Sequence, residues 1–302
     1  MPKHVVLDSI ARSGTTMMSA LLRSQKRTVA FCPGFNEPLA CNNMAEWPHG
    51  ICRQDFMDTA DIDFDKFQTE SLSQIVDYAQ YYGLSKDEWR SIIFDAKDTS
   101  EIRQNMEKAL PEVDVFCYRW NQGLSYFHKW LEHGEDFLWL SMIRHPVDRA
   151  VSSFEKHHWE LEDSLKNTLS FIDKLKQVKQ NNKFKIIYYE SLVASPESVM
   201  SEVYDFFGVN LESIDLSNIK GSNGEDFIPQ TSKMKDVYTK KDGYLTGGDS
   251  YSGLYGDQIG RWKRTFYVDP TDGIKKRIIT DESHEVFKYF LGDTEEYSRY
   301  FE

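Results

Sequence analysis

Residues 4–22 read HVVLDSIARSGTTMMSALL, and this stretch decides the fold. Residues 4–9 form a β-type run, Gly14 breaks it, and residues 16–22 (TMMSALL) have the apolar content of a buried helix. A strand, a tight loop and a helix therefore open the chain. The loop, residues 9–16 (SIARSGTT), has the chemistry of an anion cradle. Amide N–H groups at a helix N-terminus converge on an anion, and the helix dipole adds to the attraction. Gly14 lets backbone approach a ligand closely. Thr15 and Thr16 add hydroxyls, Ser13 stands beside the glycine, and Arg12 brings a fixed charge with a fork of donors. The loop differs from the G-x-x-x-x-G-K-[ST] motif: Ser9 replaces the first glycine and Thr15 the lysine, so magnesium is not implied. The plainer reading is an ordinary strand-to-helix turn with a solvated arginine.

Further along, residues 28–32 suit a second short strand, and 54–90 an acidic, mainly helical segment. Residues 92–96 (IIFDA) read as a strand and 102–110 as a helix. The run 137–143 (FLWLSMI) is almost continuously apolar, which suits a central strand buried on both faces. A helix over 146–159 follows, then a strand over 184–188 (FKIIY) and a helix over 195–207. Pro196 just inside that helix and Gly208 just past it are the expected punctuation. Residues 217–260 are rich in Gly, Ser and Asp and read as a long loop; 284–291 reads as a last helix. Strands alternating with helices indicate a parallel sheet with crossover helices, the α/β class.

A second motif follows the apolar run. Residues 144–154 read RHPVDRAVSSF. Arg144 falls at the carboxyl end of a central strand, where ligands bind in open α/β sheets. Pro146 opens the helix and Ser152 lies about two turns along it, so the two polar groups can converge on one phosphate.

With these two motifs in view, the chain resembles the PAPS-dependent sulfotransferase family, closer to bacterial and carbohydrate-type members than to the cytosolic branch. Arg12-Ser13-Gly14-Thr15-Thr16 is similar to the family's 5′-phosphosulfate loop, and Arg144, Pro146, Asp148 and Ser152 to its 3′-phosphate motif. Tyr188-Tyr189-Glu190 resembles a third strand-end motif, in which Tyr189 is expected at the adenine. Gly260-Arg261-Trp262-Lys263 resembles the C-terminal donor segment, with the basic residue that reaches the donor (Arg261, Lys263 or Arg264) left open. The resemblance implies a P-loop-like nucleotide-binding fold. It makes 1–302 a single domain with acceptor-side insertions around 40–90 and 215–255.

It also implies an enzyme. Sulfonate would move from 3′-phosphoadenosine 5′-phosphosulfate (PAPS) to a hydroxyl, less readily an amine, of a small-molecule or carbohydrate acceptor, leaving the 3′,5′-bisphosphate (PAP), with no metal. An attacking hydroxyl needs a base. Thr99 stands where the cytosolic branch has histidine, after Lys97-Asp98; other branches use a glutamate downstream of the loop, and Glu37 lies there. Glu37 is the expected base, Lys97 a cationic partner of the transferring group, and Arg12 the charge facing the leaving phosphate. The plainer readings are a solvated carboxylate for Glu37 and an ion pair with Asp95 or Asp98 for Lys97.

Composition narrows the alternatives. The 302 residues carry a net charge of −12, a poor match for nucleic acid or an anionic membrane surface. Screening over roughly 8 Å still lets local groups hold a small anion. Cys32, Cys41, Cys52 and Cys117 form no CxxC pair, and reduced thiols are expected. Asp8 and Arg12 interrupt the opening apolar run, and no stretch approaches the ~20 apolar residues of a membrane span, so the expected location is the cytoplasm. His157 and His158 are adjacent on one helix, where neighbours diverge, so packing or solvation is expected rather than a metal. Phe116, Tyr118, Trp120, Tyr126, Phe127 and Trp130 suit core packing more than an acceptor platform. Two rivals remain: a P-loop nucleotide kinase, against which the missing lysine counts, and a non-catalytic nucleotide-binding module of the same fold.

Overall fold

Val5, Val6 and Leu7 are fully buried, as are Leu140, Met142 and Ile143; neither run has a solvent face. Two-sided burial belongs at the centre of a parallel sheet covered by helices. The computed structural model describes residues 1–30, 99–120, 136–157 and 159–211, the short strands at 238–241, 244–247, 266–268 and 275–277, and isolated positions (84, 85, 87, 88, 91, 92, 124, 127 and 214). The main elements run β1 (Lys3–Asp8), α1 (Thr15–Arg23), β2 (Thr28–Ala30), α2 (Thr99–Ala109), β3 (Val115–Trp120), β4 (Leu138–Ile143), α3 (Pro146–His157), α4 (Leu161–Val178), β5 (Phe184–Tyr188), α5 (Tyr189–Ala194) and α6 (Pro196–Phe207).

The five strands form one parallel sheet in the order β2-β3-β1-β4-β5. The early chain thus builds outward from β1 on one side, and β4 and β5 build on the other. The carboxyl ends of β1 and β4 flank the point where the direction changes, the crevice that ligands use in such sheets. On one face Met17, Leu21 and Leu22 of α1 and Met200, Val203 and Phe207 of α6 pack with Val5, Leu7, Cys117, Leu140 and Met142. Each such side chain contributes about 1.5–3 kcal/mol by leaving water. Elsewhere the packing is aromatic. Phe127 meets Trp139 edge-on at 5.1 Å and Phe184 at 5.5 Å, and His4 stacks on Phe116 at 5.0 Å. Phe116, Tyr118 and Phe127 are therefore core, as expected; Tyr126 and Trp130 lie outside the described residues.

The strands at 4–9 and 137–143 and the helix at 146–159 appear within two residues of expectation. Pro196 sits at the start of α6, and Gly208 closes it with φ +68°. Two readings change, and elements that include β3 and α4 stand where none is expected. Ile92 is helical where a strand over 92–96 is expected, and 93–96 lie outside the described residues. The stretch 217–260 contains an antiparallel pair, Tyr238–Lys241 with Tyr244–Gly247, in place of an unbroken loop. Between them the sequence reads Asp242-Gly243, a dipeptide favoured where two strands pair closely in sequence. The 18-residue helix α4 occupies a stretch that carried no assignment. Its buried Leu165, Thr168, Ile172 and Leu175 recur every three or four residues, the helical spacing. Among the described residues, no helix is long and apolar enough to cross a membrane, and Cys117 is a buried free thiol.

Candidate active site

Of the connections that leave the sheet at its carboxyl edge, those after β1 and after β4 meet in one corner. The first is residues 9–14. Arg12 has φ +72° and Gly14 φ +101°, so two residues of this loop lie in the left-handed region. Alternation of this kind turns successive amides toward one side, an anion-binding nest. For arginine the conformation costs on the order of 1–2 kcal/mol, and tertiary contacts must hold it. Several do. Ser9 Oγ donates to the Met142 carbonyl at 2.5 Å, tying the end of β1 to β4. Asp8, fully buried, accepts from the Leu124 amide at 2.9 Å. The Ala11 carbonyl accepts from Arg149 of α3 at 3.1 Å. Gly14 then caps α1, with the Met18 amide donating to its carbonyl at 3.1 Å. The amides of the first helical turn have no intrahelical acceptor, and no acidic residue lies in that turn.

The second connection begins at Arg144, 4% exposed. The next amide, of His145, donates to Glu190 Oε1 at 2.9 Å, so the start of α5 fixes the turn after β4. The Arg144 guanidinium lies over the Tyr189 ring, 4.6 Å from its centroid, a cation–π contact. That same ring fills the space beside Gly14: a Cβ there would stand 2.6 Å from Tyr189 Cδ2 and 3.3 Å from Met142 Cε. Glycine at 14 is thus required twice, by its backbone angle and by the ring. Arg12 Nε donates to Ser152 Oγ at 3.1 Å, a direct bond between the first loop and the helix of the second motif.

The eight predicted residues inside the described chain, Arg12, Ser13, Gly14, Thr15, Thr16, Arg144, Ser152 and Tyr189, share this one corner of the fold. Buried Ser13 Oγ has no hydrogen-bond partner among the described residues, which leaves a donor there for a ligand. The corner combines two guanidinium groups, hydroxyls and helix-start amides, a set suited to phosphate or sulfate oxygens. Tyr189 is 5% exposed, with its ring committed to Gly14 and Arg144. Glu37, Lys97, Gly260, Arg261, Trp262 and Lys263 lie outside the described residues, as does His158. Residue-by-residue reading missed Arg149 and Glu190, though both sit inside quoted motifs. No sequence signal marks Arg149: at 100° per residue it falls opposite the apolar face made by Val147, Ala150, Val151 and Phe154.

A model of the sulfotransferase family matches residues 5–213. No curated protein matches the sequence. Among solved structures, the chain is similar to a sulfotransferase domain from the olefin synthase of Synechococcus PCC 7002. That match has 16% identity and a TM-score of 0.51, covering 97% of this chain and 95% of that one. A sulfotransferase domain from the curacin biosynthetic pathway matches at 14% identity and TM-score 0.46, over 97% and 98% of the two chains. A mouse sulfotransferase complexed with PAP matches at 12% identity and TM-score 0.42, over 97% and 84%. The first of these likenesses fixes the fold; the family match covers both loops described above.

Proposed function

The chain belongs to the sulfotransferase family, and from that premise we propose that its donor is PAPS and its acceptor a hydroxyl of a small molecule or carbohydrate. The protein is an enzyme of sulfonate transfer. One observation carries the donor assignment: the loop after β1 and the turn after β4 interlock, through Arg12 on Ser152 and through Tyr189 between Gly14 and Arg144. Two anion-binding groups a short distance apart suit a ligand with two anionic ends.

When bound, the donor supplies the sulfonate and its phosphate leaving group. Arg12, Ser13, Gly14, Thr15 and Thr16 would hold the 5′-phosphosulfate, with Arg12 and the loop amides set to stabilise charge on the leaving phosphate. Arg144 and Ser152 would hold the 3′-phosphate, with Tyr189 serving the adenine and the 260–263 segment completing the grip. Glu37 is assigned as the base that takes the acceptor proton, and Lys97 as a cation beside the transferring group. The support for these two is the family resemblance and the need of any attacking hydroxyl for a base. On this reading 1–302 is one domain, with 40–90 and 215–255 shaping the acceptor pocket. It works in the cytoplasm, where the reduced, buried Cys117 is at home.

Thermal shift with PAP against ATP tests the donor. At a concentration 100 times Kd a ligand stabilises by about 2.7 kcal/mol. PAP should raise Tm and ATP with magnesium should not; the reverse result would turn the reading toward a kinase. Transfer from labelled PAPS to a panel of hydroxyl acceptors then reports turnover. Glu37→Gln should lower kcat by roughly 10²–10⁴-fold, and a loss below about tenfold removes Glu37 as the base.

A further inference from the structure

Arg149 lies in the first turn of α3 and is 1% exposed. Its guanidinium donates through all three nitrogens. Nε reaches Thr168 Oγ1 at 2.8 Å, Nη2 the Ser164 carbonyl, and Nη1 the Ala11 carbonyl at 3.1 Å. Thr168 Oγ1 in turn donates to the Ser164 carbonyl at 2.9 Å, so the two anchors on α4 are themselves joined. Thr168 is fully buried. Taking a guanidinium out of water is costly, and a bridge between α3 and α4 alone could be made by apolar side chains. The third bond distinguishes this residue. Ala11 directly precedes Arg12, the loop residue held at φ +72°. Fixing the Ala11 carbonyl fixes the plane of the Ala11–Arg12 peptide, about which that angle is defined.

We infer that Arg149 is a positioning residue for the anion loop. It braces the Ala11–Arg12 peptide against α4, so that Arg12 keeps its left-handed turn and its bond to Ser152. Arg149 touches no reacting atom; it acts through Arg12 and the loop amides. The inference rests on the proposed donor reading, in which that loop takes the 5′ end of the nucleotide and Arg144 takes the 3′-phosphate.

The test compares two ligands by calorimetry: PAP, and adenosine 3′-monophosphate, which lacks the 5′ group. The wild-type protein should prefer PAP. In Arg149→Lys, which cannot reach three acceptors with a fork, that preference should fall about tenfold or more, while 3′-monophosphate affinity stays within about twofold. Thr168→Val removes one anchor at constant shape and should lower the preference about threefold; it carries the test if R149K does not fold. Equal weakening of both ligands would overturn the inference, since a general loss of structure does not distinguish the two ends. A wild-type preference that survives unchanged in both variants overturns it alone. A wild-type protein that binds neither nucleotide overturns the donor reading, and this inference with it.

Discussion

The two ends of β1 handle buried polar groups in opposite ways. At its start His4, 3% exposed, is fully satisfied: the Tyr118 hydroxyl donates to Nδ1 at 2.9 Å, and Nε2–H donates to Glu107 at 2.9 Å. Burial holds the His4 imidazole neutral, its pKa lowered to about 4, with the nearby Arg103 charge adding to the effect and Glu107 opposing it. Burial also pushes the Tyr118 hydroxyl well up, which keeps it a donor. At the other end of the strand, Arg12 sits in a costly conformation and buried Ser13 Oγ has no partner among the described residues. A completed network at one end and strain at the other divide the labour: the first end serves stability, and on the proposed donor reading the second is completed by a ligand.

Substitutions can break this contrast. The largest effect should come from Arg144→Ala, which takes a nearly buried charge from the carboxyl edge. PAP affinity by calorimetry should fall roughly 100-fold, about 3 kcal/mol; unchanged affinity would remove the 3′-phosphate assignment. Gly14→Ala forces a side chain into a left-handed position and into the Tyr189 ring, and chemical denaturation should show a loss of about 2–3 kcal/mol. A loss below ~1 kcal/mol would mean that the ring yields without resistance.

The His4 end should answer to pH. A histidine whose folded pKa lies below its unfolded value of 6.5 contributes stability that is present above pH 6.5 and lost as pH falls toward 4. Between pH 7.5 and pH 5 the wild type should lose about 2 kcal/mol at this site, and His4→Asn should flatten that slope. A parallel pH dependence in the variant would remove His4 as the cause. The smallest effect sharpens the contrast most. Ser13→Ala deletes a hydroxyl that has no bond among the described residues, so stability should hold or rise by up to about 1 kcal/mol, while PAP binding weakens about fivefold. A clear destabilisation would show that Ser13 serves the fold and not the ligand.

Much of the fold was legible because its signals are local. The run ending in Met142-Ile143 has no polar face, Gly14 interrupts a strand-to-helix passage, and Pro196 and Gly208 bracket a helix. Where signals competed, reading lost detail. The strand Val115–Trp120 is apolar at almost every position, so the strand showed as aromatic content without a period. The pair at 238–247 sits inside Gly- and Asp-rich sequence, whose composition reads as loop and hides the Asp242-Gly243 dipeptide. At the site, Arg12, Gly14, Arg144 and Ser152 are visible as motif residues, whereas the helical period puts Arg149 on the polar side of its helix, where nothing local marks its burial.

The sequence alone determined which residues could grip an anion, since donor chemistry, the freedom of glycine and the start of a helix are properties of a few neighbouring residues. Only the tertiary structure decided that β4 lies beside β1, and therefore that Arg12 meets Ser152, Tyr189 fills the space at Gly14, and Arg149 reaches Ala11. Those contacts join residues more than 130 positions apart. They follow from the order of strands in the sheet, which is set by burial of the whole core and is written in no local period.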